Sequence, residues 1–181
     1  EELFIALEKY KRVMVSSAHS LGKTKSAAIF ALWHYLKYSP SVTICSAPTY
    51  QQIVDVLFKE IRMMYRGPDI LPKTPRISNS ADHFLVGLTS SNSEAFQGRH
   101  SSNIAILFDE SIGIEEEFWD GAYGMLVNAK DAYWLCIHNP TSTSSRAYRE
   151  YLQGNFHHIH WAGLDHPNVI SKEETIPGAI S

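Results

Sequence analysis

Apolar positions along the chain alternate between short β-like runs and longer stretches with a helical period. Positions 12–16 form a first β-rich run and 42–46 a second, both apolar enough for strands buried on two faces. Between them, 23–37 predicts a helix with an Ala-rich face that bears Trp33. The clearest helix is predicted at 49–64, where Ile53, Val54, Leu57, Phe58, Ile61 and Met64 fall on one stripe. Thr49 with Gln52 three residues later fits a capping box at its start. Further strands are predicted at 83–88, 104–108 and 132–137, with a last one at 156–161. Helices are predicted at 115–127, where acids sit at the positive end, and at 144–152. Breaks fall at Ser39-Pro40, across 67–75 and after Asp165.

Strands that alternate with helices imply a largely parallel sheet covered on both faces. Ligands in such sheets bind at the carboxyl ends of the strands, so chemistry is sought just after each strand. The chain has 181 residues, the size of one domain, and 44% of them are hydrophobic, which excludes a disordered chain. The longest uncharged apolar stretch, 26–36, is about half of what a bilayer span needs and contains a histidine. Cys45 and Cys136 are too few for a disulfide framework and are expected as buried thiols. The net charge of −3 is unevenly spread: residues 1–76 hold 11 of the 16 Lys and Arg but 6 of the 19 Asp and Glu. A basic first part could meet phosphates, although a solvated surface has the same composition.

The first predicted strand runs into Ser17-Ala18-His19-Ser20-Leu21-Gly22-Lys23-Thr24, which opens a helix. This is the spacing of the phosphate loop G-x-x-x-x-G-K-[ST], with Ser17 in place of the first glycine. In that reading the backbone N–H groups of Ser17 to Thr24 surround a β-phosphate, Lys23 reaches the β- and γ-phosphates, and the Thr24 hydroxyl binds Mg²⁺. An ordinary turn is the competing reading. The fourth predicted strand ends in Asp109-Glu110. A carboxylate there can hold Mg²⁺ through water, and the adjacent Glu can orient and deprotonate an attacking water. Two acids at a strand end are common, but together with the loop 85 residues upstream they point to an NTP hydrolase. A kinase does not need the adjacent Glu, and a small GTPase would need an Asn-Lys-x-Asp motif, which the sequence lacks.

Five segments in order resemble the ATPase domain of phage large terminase subunits, over roughly residues 10–170. They are Ser46-Ala-Pro-Thr-Tyr-Gln-Gln52, Glu94-Ala-Phe-Gln-Gly-Arg-His100, Phe108-Asp-Glu-Ser111, His138-Asn-Pro-Thr141 and Ala162-Gly-Leu-Asp-His-Pro-Asn168. The resemblance implies a three-layer α/β P-loop NTPase of the ASCE type, with a mostly parallel central sheet flanked by helices. It implies ATP and Mg²⁺ as cofactors, Thr24 and Asp109 at the metal, Glu110 as catalytic base, and Lys23 on the phosphates. Asn139 would sense the γ-phosphate, or else form a local turn before Pro140. Arg99 would act in trans on a neighbour's γ-phosphate, or else be a surface arginine. The implied function is an ATPase motor that packages double-stranded DNA into procapsids. Its partners would be the portal protein and the small terminase subunit, in a homo-oligomeric ring with a monomer in isolation, in the bacterial host cytoplasm and away from membranes. Residues 1–165 would be the ATPase domain and 166–181 a linker toward an absent nuclease domain, so no nuclease activity is expected of this chain. The departures are Ser17 and His19, the latter where many members carry arginine. Helicase-like or remodelling ATPases, and an inert nucleotide-binding assembly module, are the alternatives.

Other features have plainer readings. In His157-His158-x-His160, positions 158 and 160 share a strand face without a carboxylate at ligand spacing, so structural histidines are expected. Tyr10-Lys11-Arg12 could meet adenine or be a plain solvated segment. Trp119, Tyr123 and Leu126 fit one helix face and read as core. Arg62, Arg66, Lys73 and Arg76 surround a loop and could touch a DNA backbone.

Overall fold

The computed structural model describes residues 1–70, 73–89 and 101–176. Its strands are β1 (Arg12–Ser17), β2 (Val42–Ser46), β3 (Arg76–Ser78), β4 (Phe84–Leu88), β5 (Asn103–Asp109), β6 (Asp131–His138) and β7 (His157–Trp161). They form one sheet in the order β3-β4-β2-β5-β6-β1-β7. Every pairing is parallel except that of the short edge strand β3 with β4. The helices are α1 (Glu2–Tyr10), α2 (Lys23–Lys37), α3 (Phe58–Met64), α4 (Glu116–Leu126), α5 (Arg146–Leu152) and α6 (Pro167–Ser171). The expected three-layer, mostly parallel architecture is therefore present.

Strand alternation divides the core in two. Val13 and Val15, Ala105 and Leu107, and Leu135 and Ile137 face α1, α2 and α3. Their neighbours Met14, Ile104, Ile106, Phe108, Trp134 and Cys136 face α4 and α5, where Trp119 and Phe156 close the second layer. Trp119 and Trp134 are fully buried and tilted against each other at 5.4 Å between ring centroids. Both cysteines are buried free thiols, as expected. On the first face, Gly87 lets the helix after β2 lie close to the sheet, because a Cβ there would stand 2.2 Å from Ile53 Cγ2.

The long predicted helix forms with a modification. Gln52–Leu57 is wound as a π-helix before α3 begins. Its capping box is made: the Gln52 N–H donates to Thr49 Oγ1 at 3.2 Å and the Thr49 N–H to Gln52 Oε1 at 3.0 Å. Three of these elements, α1, β3 and α6, went unpredicted. In α1, Leu3, Ala6 and Leu7 at helical spacing bury against the first face, and Lys11 closes the helix with φ 65. The three residues of β3 are too few to show a period. Within the stretch read as linker, α6 forms and Asn168 is 1% exposed, its Oδ1 accepting from the Ile176 N–H and the Thr175 hydroxyl.

Candidate active site

β1, β6 and β5 lie side by side and run parallel, so the segments after Ser17, His138 and Asp109 leave the same end of the sheet. Neighbouring strands stand about 4.8 Å apart, so the two outer exits are about 10 Å apart, a span that suits a triphosphate. Alternation then sorts the side chains. Asp109 follows Ala105 and Leu107 onto the face of α2, whereas Ser16 and His138 follow Met14 and Cys136 onto the face of α5.

The loop from Ala18 to Gly22 joins β1 to α2. Gly22 occupies the N-cap with φ 79 and ψ 17, a left-handed state that glycine adopts without a Cβ penalty. Ser20 also has a positive φ, of 59. Ser17 is a β1 residue outside the left-handed region, so a glycine is not needed at that position. The Ser17 hydroxyl, fully buried, donates to the Ala18 carbonyl at 3.0 Å. No side chain caps α2 and no acid lies in its first turn. Its leading N–H groups, where Lys23 and the half-buried Thr24 stand, are thus open to an anion, with the helix dipole aligned behind them.

Lys23 is buried and reaches across the loop. Its ammonium donates to the Ala18 carbonyl at 2.6 Å and to Asn139 Oδ1 at 2.6 Å. The Asn139 amide nitrogen in turn stands 3.2 Å from His19 Nε2. Burial lowers the Lys23 pKa, while the charges of Glu110 and Asp109 act to raise it. Asp109, 5% exposed, is pushed up to about 6 by burial and by the neighbouring Glu110 charge. The Glu110 N–H, donating to Asp109 Oδ1 at 3.1 Å, and the Lys23 charge act against that rise. Lys23, Asp109, Glu110 and Asn139 therefore share one electrostatic neighbourhood. Glu110 itself is left-handed, with φ 49 and ψ 49.

These residues fit a Mg²⁺-bound polyphosphate. The buried ammonium is met by two neutral oxygens and takes part in none of the described ion pairs, so its charge remains available to an anion. Asp109 and Thr24 would offer Mg²⁺ the hard oxygens it takes. A cavity of about 410 Å³ adjoins the loop, lined by Leu21, Ser26, Trp161, His166 and others.

Other predicted residues lie elsewhere. Arg99 and the segment 94–100 are outside the described residues. Tyr10, Lys11 and Arg12 stand at the amino end of β1, away from the loop. Tyr10 stacks on His157 at 3.9 Å, Lys11 donates to the Tyr133 hydroxyl at 2.6 Å, and Arg12 lies over Tyr123. Arg62 donates to the carbonyls of Val54 and Thr74, which makes it a structural cation. Sequence reasoning missed a buried group behind the site: Ser16, His138, Ser111 and His158 are joined by hydrogen bonds. Ser16 and His138 are 122 residues apart, and only the strand register brings them together.

No protein-family model matches the chain, and no curated protein matches it. Solved structures do. The large terminase of a thermophilic bacteriophage, in complex with ADP, superposes with a TM-score of 0.71 at 15% identity, over 92% of this chain and 45% of that one. The large terminase ATPase domain of Thermus phage P74-26 gives 0.60 at 16% identity, over 90% and 78%. A chain of the bacteriophage phi29 genome packaging motor assembly gives 0.55 at 13% identity, over 84% and 50%. The chain spans less than half of the first of these proteins. At such identities the likeness is one of fold: the chain has the P-loop ATPase fold of the phage terminase ATPase domains.

Proposed function

We propose that the chain is the ATPase motor domain of a viral large terminase, hydrolysing ATP to drive double-stranded DNA into procapsids. The observation that carries this reading is the bond from the buried Lys23 ammonium to Asn139, beside the paired carboxyls at 109 and 110. It joins two of the strand ends that such a site requires, the phosphate loop and the γ-phosphate sensor, and the acidic pair at the third acts on the Lys23 charge. The backbone of residues 17–24 cradles the phosphates, and Lys23 neutralises charge that develops on them. Glu110 orients a water in line with the γ-phosphate and takes its proton. Mg²⁺, held by Thr24 and through water by Asp109, would supply neutralisation of the phosphate oxygens. Asn139 exchanges its bond with Lys23 for one to the γ-phosphate, so the strand that carries it registers hydrolysis. Arg99 of a neighbouring copy completes the site on assembly in a ring at the portal, with the small subunit as a further partner, in the host cytoplasm.

The helicase-like alternative would use arginines after residue 140, but Arg146 is bound to Glu116 and Glu150, and Arg149 to Glu116. The test is ATP turnover by the chain and by Glu110→Gln. The variant is expected to lose at least ~10²-fold in turnover while it still binds nucleotide. Equal, negligible rates in both, with or without DNA and portal-bearing procapsids, favour the inert assembly module. Stimulation by single strands in place of procapsids favours a helicase.

A further inference from the structure

On the face turned away from the phosphate loop, hydrogen bonds join the carboxyl ends of β1, β5 and β6 to one another and to His158, the second residue of β7. Ser16 Oγ lies 2.9 Å from His158 Nε2 and 3.0 Å from His138 Nε2, and His138 Nδ1 lies 2.8 Å from Ser111 Oγ. Ser16, His138 and Ser111 are 6%, 5% and 0% exposed. The register accounts for the meeting: Ser16 pairs with His138 across β1 and β6, and Ser111 stands two residues beyond the end of β5.

The ends of this chain matter more than its middle. Ser111 directly follows Glu110, and His138 directly precedes Asn139. Glu110 holds a left-handed backbone state, which a residue with a Cβ keeps only where its surroundings impose it. Two contacts impose it: the Gly113 N–H donates to the Glu110 carbonyl at 2.9 Å, and the next side chain is pinned to His138. On the other strand, His138 fixes where Asn139 begins. We propose that Ser111 and His138, oriented by Ser16, are a positioning pair that holds the Glu110 carboxylate and the Asn139 amide in one fixed relation across the γ-phosphate. This rests on the reading of Glu110 as base and Asn139 as sensor.

The proton accounting closes around a neutral ring. Burial, then the charges of His158 and Lys23, holds His138 down to about 4, so its ring is neutral with one N–H and one lone pair. Both ring nitrogens meet serine hydroxyls, so the ring donates to one serine and accepts from the other. A hydroxyl does both, and the chain is fully satisfied in either direction. Side-chain amides separate the two arms. Asn at 138 keeps a polar atom where Nδ1 bonds Ser111, whereas Gln keeps one where Nε2 bonds Ser16.

The experiment follows hydrolysis by the chain under single-turnover conditions, with protein in excess over ATP so that slow rates are read. Nucleotide affinity and melting temperature are measured alongside. Ser111→Ala and His138→Gln are expected to slow hydrolysis roughly tenfold with nucleotide affinity within about twofold of the parent. His138→Asn is expected to restore the rate to within about threefold, and Ser111→Ala with His138→Gln together to be no slower than either alone. Unchanged rates in Ser111→Ala and His138→Gln overturn the pair. So does a loss in which rate, affinity and melting temperature fall together and Asn is no better than Gln. Glu110→Gln separates this from the underlying reading: if it hydrolyses like the parent, the base assignment is what fails. If it is inactive while Ser111→Ala and His138→Gln are fast, only the positioning pair fails.

Discussion

Lys23 shows how a single side chain can serve the site at the expense of the fold. Its ammonium is buried, its pKa is lowered by that burial, and its partners are a carbonyl and an amide oxygen rather than a carboxylate. A buried cation with neutral partners contributes little to stability and much to an incoming anion. Lys23→Met is therefore expected to weaken ADP binding roughly 10–100-fold, the worth of a charge-assisted contact, while the melting temperature holds or rises. Isothermal titration and thermal denaturation of the same preparation check both halves; a large drop in melting temperature would contradict the assignment. Lys23, Asp109 and Glu110 were legible in the sequence because each sits at a fixed step from a strand end, where a short motif records three-dimensional placement. Asn139 was legible through family resemblance and through its place just after a predicted strand. His138, Ser16 and Ser111 were not legible, since their chemistry arises from register between strands far apart in sequence and no local pattern encodes it. The misfit of Ser17 with the usual glycine also dissolves in the structure, where that residue belongs to the strand.

Among the elements, α5 carries a short helix on one buried acid. Seven residues are too few to hold a helix alone, so its docking must do so. Ser145 caps it by accepting from the Tyr148 N–H at 3.2 Å. Glu150, 1% exposed, accepts from the Tyr123 hydroxyl at 2.6 Å, from Asn155 at 2.7 Å and from the Arg146 guanidinium at 2.6 Å. Burial alone would raise the Glu150 pKa, but these hydrogen bonds, Tyr123 first, outweigh it and hold the carboxyl below its usual range. Glu150→Ala leaves those donors unanswered and is expected to cost about 3 kcal/mol, read from the urea midpoint at neutral pH. A loss below about 0.5 kcal/mol would show that water replaces the carboxylate there. The helix period at 144–152 was visible in the sequence, but the reason the helix persists was not, because Tyr123 and Glu116 reach it from α4. Element order was legible at most of the runs of five residues or more that keep a period of two or of 3.6. It failed at β3, which is three residues long, and at α1, whose nine residues precede the first strand.

Across the whole molecule, buried ionisable groups set how stability answers to pH. His34 is held down to about 3 by burial, then by the charges of His83 and Lys37, and His138 is held down to about 4. Both rings are neutral when folded and protonate more readily when unfolded. Their contribution is complete above about pH 6.5 and is lost as the pH falls, by up to about 2 kcal/mol each on reaching pH 5. Asp109 runs the other way. Raised to about 6 in the folded chain from 3.8, it binds a proton there that the unfolded chain has already released. It therefore regains about 1 kcal/mol of stability as the pH falls from 7 to 5. The two histidines outweigh the one acid, so the urea midpoint is expected to fall over that interval, with a net loss of about 2–3 kcal/mol in the absence of metal and nucleotide. Two variants separate the contributions. His34→Asn keeps a polar atom facing Thr43, which His34 Nδ1 meets at 2.7 Å, but removes a titrating ring, and is expected to make the fall shallower. Asp109→Asn removes the opposing acid, so it is expected to raise the midpoint at pH 7 and make the fall steeper. If Asp109→Asn instead lowers the midpoint at pH 7, the carboxylate is stabilised by its neighbours rather than strained by burial, and the balance that leaves Asp109 ready for a cation is absent.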